Sequence, residues 1–359
     1  MKNMKNFTFM ALSAIFFASC ARVPVPAHTS DSITEFKNRA DAGDTAFCRV
    51  SATVVSIADY DNGRFYLYDG EDYLKVYGMR GFRQEGIEEG DAVTLLARPH
   101  IYHGETEACD AACVSVRRGP CPGFASDVAD VSWPELPETS VGDGCVFIHH
   151  PSSSGGRNYS VYYDTLARIA RWVAYPLCLS DLTDGVRTDA YAYDPLIPRG
   201  SQASIGNKSF TSGSGGSFVR GHLVPSADRL GLRDNLDVFM ACNIVPENSG
   251  LNSGAWASLE AYCRELAVHC DTLYVVAGTD TRGSADYVRD NAGHRVRVPA
   301  ALFKAVVVFS EKNGYSGFGL YFPNKKGNPS KISPDMFMSI SELEDKLGKN
   351  GYLYKNISL

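Results

Sequence analysis

Phe218-Val219-Arg220-Gly221-His222-Leu223-Val224-Pro225-Ser226-Ala227-Asp228 is the first of two segments on which the reading of this chain turns. The second is Cys242-Asn243-Ile244-Val245-Pro246-Glu247-Asn248-Ser249-Gly250-Leu251-Asn252, which runs on through Ser253-Gly254-Ala255-Trp256-Ala257-Ser258-Leu259-Glu260. From Ala255 to Val268, the residues Trp256, Leu259, Tyr262, Cys263 and Leu266 recur at helical spacing, so the second segment leads into an amphipathic helix. Glu260 then follows Asn252 by two helical turns, and Arg264 lies one turn further on. Asn252 stands where it can cap a helix beginning near Ser253, or offer its amide oxygen to a hard cation; the two uses compete for one atom. Trp256 reads as core.

Outward from these segments, Tyr159 to Tyr163 alternates as a strand and Arg171 to Leu177 reads as another. Leu273 to Ala277 and Ala305 to Phe309 are apolar, β-branched runs of the kind found in buried strands. Lys304 ends the second of these. Residues 201–217 are rich in Ser and Gly and read as a flexible loop, and Ser341 to Leu347 reads as a short helix stopped by Gly348. Strands and helices mix without β-α-β alternation, so the class is α+β.

The N-terminal third reads differently. Val50 to Ala58 alternates, Asp61-Asn62-Gly63 is a turn, Arg64 to Tyr68 is a strand, and Asp69-Gly70 turns into Tyr73 to Tyr77. Gly90-Asp91 introduces Ala92 to Ala97, and His100 to Tyr102 continues a strand. This order of turns resembles an OB-fold, above all over residues 88–107. OB-folds bind single strands by stacking bases on aromatics. Phe65, Tyr66, Tyr68, Tyr73 and Tyr77 could serve, although alternate members of that set should be core. The organisation is therefore a leader over 1–20, a tether over 21–45, an OB-like β domain over 46–118, a Pro-rich linker over 119–142 and a catalytic body over 143–359.

Lys2 and Lys5 precede an apolar run, Phe7 to Phe17, too short to anchor stably across a bilayer. It ends in Phe17-Ala18-Ser19-Cys20, which resembles a bacterial lipobox. An exported lipoprotein follows, held to the membrane by a lipid on Cys20 and facing the periplasm or the cell surface. The ten cysteines then leave nine for the folded part, an odd number. Cys109, Cys113 and Cys121 cluster without zinc-ligand spacing, which favours a disulfide. The net charge of −6 argues mildly against a nucleic-acid binder, but basic residues recur through the C-terminal part at Arg168, Arg171, Arg187, Arg220, Arg229, Arg233 and Arg264.

The two opening segments together resemble the DNA/RNA non-specific endonuclease family, whose site is a ββα-metal (His-metal finger) motif. Arg220-Gly221-His222 matches its Asp-Arg-Gly-His segment with Val219 in place of Asp. Residues 243–260 match Asn-Ile-x-Pro-Gln running into Asn-x-Gly-x-Trp and Leu-Glu, with Glu247 in place of Gln. The resemblance spans roughly residues 158–325. It implies that His222 is the general base and Asn252 the ligand of a divalent cation, Mg2+ or Mn2+. It places Glu260 on the waters of that cation and Arg264 near the phosphate, with Asn243 in a supporting role. Arg220 adjoins the base, and Arg187, within Gly185-Val186-Arg187-Thr188-Asp189, is the candidate for a further arginine.

The chemistry agrees with these residue types. A neutral imidazole can take a proton from water near neutral pH. A hard cation offsets charge on the phosphate and on the leaving oxygen, and prefers oxygen ligands. Every group named faces phosphate, metal or water, and phosphate contacts carry no base information, so cutting is expected to be independent of sequence. A mechanism without a ribose 2′-hydroxyl nucleophile accepts DNA and RNA alike, and the resemblance implies products with a 5′-phosphate. Three other readings compete: a non-catalytic nucleic-acid-binding lipoprotein, a phosphodiesterase acting on small nucleotides, and a serine hydrolase using Ser212-Gly213-Ser214-Gly215-Gly216-Ser217. The last lacks strand-turn-helix context. The other seven histidines read as structural or surface residues.

Overall fold

The computed structural model describes residues 31–59, 62–117, 133–138, 144–154, 156–185, 187–194, 196–206, 209–210, 217–348 and 352–357. The leader, Cys20, Cys121 and most of the Ser/Gly run at 211–216 lie outside these residues.

The first element corrects the expected tether. Helix α1 (Ile33–Asp41) opens with a capping box in which Ser32 Oγ accepts from the Glu35 amide and Glu35 accepts from the Ser32 amide. Ile33 and Phe36, one turn apart, are fully buried against the strands that follow. Two apolar side chains on one face suffice to dock so short a helix, and composition alone hid them.

Strands β1 (Cys48–Asp59), β2 (Arg64–Tyr68) and β3 (Tyr73–Tyr77), helix α2 (Phe82–Glu85), and strands β4 (Ala92–Tyr102) and β5 (Glu105–Arg117) form a closed barrel. The strand order is β1-β2-β3-β5-β4; β3 and β5 run parallel and the other pairs antiparallel. Phe65 points into the core with Val50, Val54, Leu67, Leu74, Val76 and Leu95, whereas Tyr77 is exposed, so the aromatic set divides as strand alternation requires. Cys109 is a free thiol on β5, and it is not bridged to Cys113 on the same strand; Cys121, the third of the cluster, lies outside the described residues. Strand register explains this for the two together: they lie four residues apart on one extended strand, too far to bridge each other.

Residues 133–138 fall in the stretch read as a linker, yet they pack. Leu136 is buried in an apolar cluster, and Glu135, also buried, accepts from Arg157 Nε and Nη2 at 2.5 and 3.1 Å. Beyond them lies an antiparallel six-stranded sheet in the order β15-β14-β11-β8-β7-β6. Its strands are β6 (Cys145–Pro151), β7 (Arg157–Asp164) and β8 (Ile169–Leu177), then β11 (Thr272–Asp280), β14 (Ala301–Ser310) and β15 (Gly314–Pro323). Between β8 and β11 come β9 (Phe218–His222), α3 (Leu232–Val238), β10 (Ile244–Asn248), α4 (Ser249–Leu251) and α5 (Ala257–Ala267). A small ribbon, β12 (Tyr287–Arg289) with β13 (Arg295–Arg297), precedes β14, and α6 (Ile340–Leu347) follows β15.

One face of the sheet packs under α5 and the β9–β10 pair, with Tyr159, Val173, Val275, Leu259 and Trp256 in a single core. The other face is covered by α6, by residues 133–138 and by the C-terminal Leu353 and Tyr354. The 201–217 loop is less free than its composition implies: Ile205 and Phe210 are buried in the first of these cores.

The turn between β1 and β2 shows how tightly the barrel is specified. Gly63 has φ of +62°, and a Cβ placed there would lie 2.7 Å from the Met79 carbonyl oxygen and 2.8 Å from Phe82 Cβ. Gly63→Ala should therefore cost about 2 kcal/mol or more, from left-handed backbone strain plus overlap. Urea denaturation followed by circular dichroism measures this, and a loss below about 0.5 kcal/mol would mean the turn relaxes freely.

Candidate active site

The site is built where β9 lies antiparallel to β10, with Ile244 opposite His222, Val245 opposite Gly221 and Glu247 opposite Val219. Pro225 and Pro246, together with the branched residues around them, keep both strands extended and short. β9 delivers His222 at its last position. The Trp256 indole N–H donates to the His222 carbonyl at 3.2 Å, and the Leu223 amide donates to the Asn243 carbonyl.

Asn243 is fully buried, and its side chain is wholly used by backbone. Oδ1 accepts from the Val224 amide at 2.8 Å; Nδ2 donates to the Val224 and Val238 carbonyls at 3.0 and 2.8 Å. It is therefore not free to touch a substrate. It clamps the chain leaving His222, which gives the supporting role its partners and corrects its place among reacting groups.

The His222 ring is 8% exposed and sits against Phe239 and Tyr191, with centroid separations of 4.7 and 5.8 Å. Its Nε2 is buried and has no hydrogen-bond partner. Burial, reinforced by the Arg187 and Arg220 charges, pulls the imidazole down to about 3 from its ordinary 6.5. The ring is a neutral base with a vacant lone pair or N–H at neutral pH.

Glu247 lies beside Gly221, the residue before His222, and binds Asn252. Its side chain is fully buried and occupies the space a Cβ on Gly221 would need, so position 221 must be glycine for β9 and β10 to approach. Glu247 Oε2 accepts from Asn252 Nδ2 at 3.0 Å. That bond turns the Asn252 amide so that its nitrogen faces the carboxylate and Oδ1 faces elsewhere. The capping alternative for Asn252 falls here. The helix begins one turn earlier than its apolar spacing indicates, at α4, and Asn248 is the cap, accepting from the Gly250 amide at 3.1 Å. Asn252 instead stands at a break between α4 and α5, where Gly254 leaves helical geometry with φ −109° and ψ −114°.

Glu260 lies on α5 one turn beyond Trp256. Burial lifts its carboxyl to about 7, against the lowering influence of Lys304. Lys304 is a buried cation beside the site that the sequence reading set aside. It projects from β14 with no exposed surface, its Nζ 4.7 Å from the Trp256 ring centre and without a hydrogen bond, and its charge acts on both Glu247 and Glu260. A lysine inside Phe303-Lys304-Ala305, in an apolar β-branched run, was the available signal.

The arginines divide. Arg220 lies 3.6 Å over the Tyr191 ring and donates to the Ile205 carbonyl at 3.0 Å. Arg187 lies over Phe239, pairs with Asp189 at 2.8 Å and reaches the Tyr191 hydroxyl. Both therefore share aromatic neighbours with His222. Arg264 does not join them: its guanidinium is held by the buried Asp228 at 2.9 Å, whose other oxygen accepts from the Tyr175 hydroxyl. A second buried polar cluster lies behind the site, where His150 Nε2 meets Asp194 Oδ2 at 3.0 Å with Cys242 alongside.

Because folded His222 titrates near 3 and the unfolded residue near 6.5, the unfolded chain binds more protons between those values. The contribution of the buried ring to stability is thus complete above pH 6.5 and is lost as pH falls toward 3. Glu260 acts in the opposite sense, its protonated form favouring the fold below pH 4.5 and that advantage disappearing as pH rises toward 7. His222→Asn should flatten the acid-side fall in stability relative to the unaltered protein, read by urea denaturation from pH 4 to 7. Identical pH slopes in the two proteins would remove the buried neutral imidazole from this account.

Comparison with known proteins places this geometry. A nuclease of Nostoc sp. is 36% identical over 161 residues, covering 44% of this chain and 56% of the relative. Nuclease C1 of Cunninghamella echinulata is 28% identical over 203 residues, covering 53% of this chain and 79% of the relative. The mitochondrial nuclease EXOG of Homo sapiens is 32% identical over 164 residues, covering 42% of each chain. The chain thus spans little more than half the length of the Nostoc relative and less than half of the human one. The profile of the DNA/RNA non-specific endonucleases matches residues 147–357, which contain β9, β10, α4 and α5 entire. With more than half of its 359 residues under that match, the chain belongs to the DNA/RNA non-specific endonuclease family.

Proposed function

We propose that this protein is a metal-dependent endonuclease that hydrolyses phosphodiester bonds of DNA and RNA without sequence preference and leaves 5′-phosphate ends. One observation carries the reading: a buried, neutral His222, whose Nε2 has no partner among the described residues, follows Gly221, against which Glu247 packs, and Glu247 holds the amide nitrogen of Asn252. In this reading His222 takes the proton of the attacking water. Trp256 and Asn243 hold its backbone so that the ring need not reorganise as it does so. Arg220 and Arg187 bring positive charge to the side of the ring where a phosphate would lie.

The donor set fits a hard cation. Asn252 offers an amide oxygen that Glu247 leaves free, Glu260 offers a carboxylate, and no sulfur is among them. Asn252 would ligate Mg2+ or Mn2+ directly and Glu260 would hold the waters of that ion. When bound, the ion supplies positive charge to the phosphate and the leaving oxygen. Arg264, fixed by Asp228, acts in this reading by keeping α5 in place beneath Glu260.

The barrel is read as an OB-fold, supported by its strand order and the parallel β3–β5 pair. Export as a lipoprotein rests on Lys2, Lys5, the apolar run and Phe17-Ala18-Ser19-Cys20. No helix among the described residues is long and apolar enough to cross a membrane.

Plasmid DNA and RNA incubated with the protein should both be cut in magnesium and spared in chelator. His222→Ala should slow cutting by about 100- to 10,000-fold with the circular dichroism spectrum retained. Cleavage that survives either chelator or this substitution would overturn the assignment. Cys20→Ser should move the protein from the membrane to the soluble fraction of its host, and unchanged membrane association would remove the lipid anchor.

A further inference from the structure

A cavity of about 490 Å3 lies between the barrel and the endonuclease body, and the mechanism above leaves it unused. Its barrel wall is made by β2, β3 and the end of β1, with Arg64, Tyr66 and Lys75. Its body wall carries Tyr191, Arg199 and Arg220. The two halves are joined beside it by an apolar contact of Tyr66 with Ala190 and Leu236, both essentially buried. The cavity therefore has a closed side and two opposed walls.

We propose that this cavity is a subsite for a single strand of nucleic acid, so that a strand cut at His222 is also gripped by the barrel. The proposal rests on the nuclease reading and adds to it a path for the substrate. Charge is the first argument. Arg64 contacts only the ring and hydroxyl of Tyr77, and Arg220 only the Tyr191 ring and the Ile205 carbonyl. Among the described residues neither makes an ion pair, so two cations not locked to a carboxylate line the opposing walls. Of the acids of the lining, Asp189 is paired with Arg187, and Asp59, opposite Arg64 in the β1–β2 register, also accepts from the Asn62 amide and side chain. Lys75 is less available, since Glu107 holds it at 2.6 Å.

Continuity is the second argument. Arg220 and Tyr191 belong to the cavity, and Tyr191 also lies against the His222 ring, so a strand held at His222 adjoins the cavity. Size is the third. The volume is that of pockets that take ligand-sized groups, about 300 to 1,000 Å3, which suits a nucleotide or two of one strand and not a duplex. Phosphate contacts from two walls require no base identity, and DNA or RNA strands satisfy them equally.

The full chain is tested in chelator, so that binding is read without cleavage, against a labelled oligothymidylate of about a dozen residues. Arg64→Glu should weaken binding about tenfold or more and reduce the slope of log affinity against log salt by at least ~0.7, the value for one lost strand contact. Arg117→Glu, the same charge change on exposed β5, should alter affinity less than about threefold. A second cavity variant, Lys75→Ala, should weaken binding in the same direction. Equal weakening by Arg64→Glu and Arg117→Glu would mean bulk charge alone, and unchanged affinity in both cavity variants would mean the strand passes elsewhere; either result overturns the subsite. A protein that binds through Arg64 yet cuts nothing in magnesium keeps the subsite and loses the nuclease reading. One that cuts while both cavity variants bind normally does the reverse.

Discussion

A carboxylate without exposed surface lies in the crease between β9 and β10, and the rest of the site is arranged around it. Glu247 fills the space beside Gly221, accepts the amide nitrogen of Asn252 and shares its surroundings with the equally buried Lys304. A carboxylate in such surroundings is tolerated only with a hydrogen-bond donor and an opposite charge nearby, and here both are present. Burial pushes the Glu247 carboxyl well above the usual carboxylate range, and the Asn252 amide and the Lys304 charge oppose that rise. A glutamine in its place could present either end to Asn252. With Glu at this position, Oε2 accepts the Asn252 amide nitrogen and the buried Lys304 supplies the opposite charge. Seen this way, the departure from the family pattern and the orphaned Lys304 are one feature.

The sequence made the frame of this site legible and hid its fastenings. The periodicity of Trp256, Leu259, Tyr262, Cys263 and Leu266 announced α5, and β-branched runs announced β11 and β14, because burial of one face or both imposes those periods. What could not be read was which polar atoms meet across the fold. Asn243 spends all its hydrogen bonds on backbone separated from it by up to nineteen positions, and Arg264 turns to Asp228, thirty-six positions away. Such partners are chosen by packing, and a family motif names the residue without naming the bond. Asn252 illustrates the limit most sharply. The cap and the ligand readings differ by one helical turn in where the helix begins, and the apolar spacing that defines α5 says nothing about α4, which has no apolar period of its own.

The N-terminal half failed and succeeded for related reasons. Alternation and turn residues marked the strands of a barrel, since side chains that alternate between core and solvent leave a period of two. The short docked pieces escaped. Ile33 with Phe36, and Leu136 with Glu135, are pairs of residues in polar or proline-rich surroundings, and only the partner surface shows that they are buried. Compositional reading averages over windows longer than these contacts.

Charge needs the same distinction between inventory and position. The net charge of −6 argued against a polyanionic substrate, and the arginines of the C-terminal part argued for one. The fold shows that most of those arginines serve the fold itself. Arg171 pairs with Asp164, Arg233 with Asp237 and Arg264 with Asp228, while Arg168 and the buried Arg229 donate to backbone carbonyls. Among the described residues, Arg168 and Arg220 have neither a carboxylate partner nor a buried setting; of the two, Arg220 lies beside His222, where Arg187 is exposed as well. A protein acidic in total can thus keep positive charge beside His222, because Arg171, Arg233 and Arg264 are each held by an acid of their own while Arg220 is not. Field at the site, and not the sum over the chain, decides whether a phosphate approaches, and it falls off within about 10 Å at ordinary salt. On that length scale the two walls around Tyr191 count for more than the rest of the surface together.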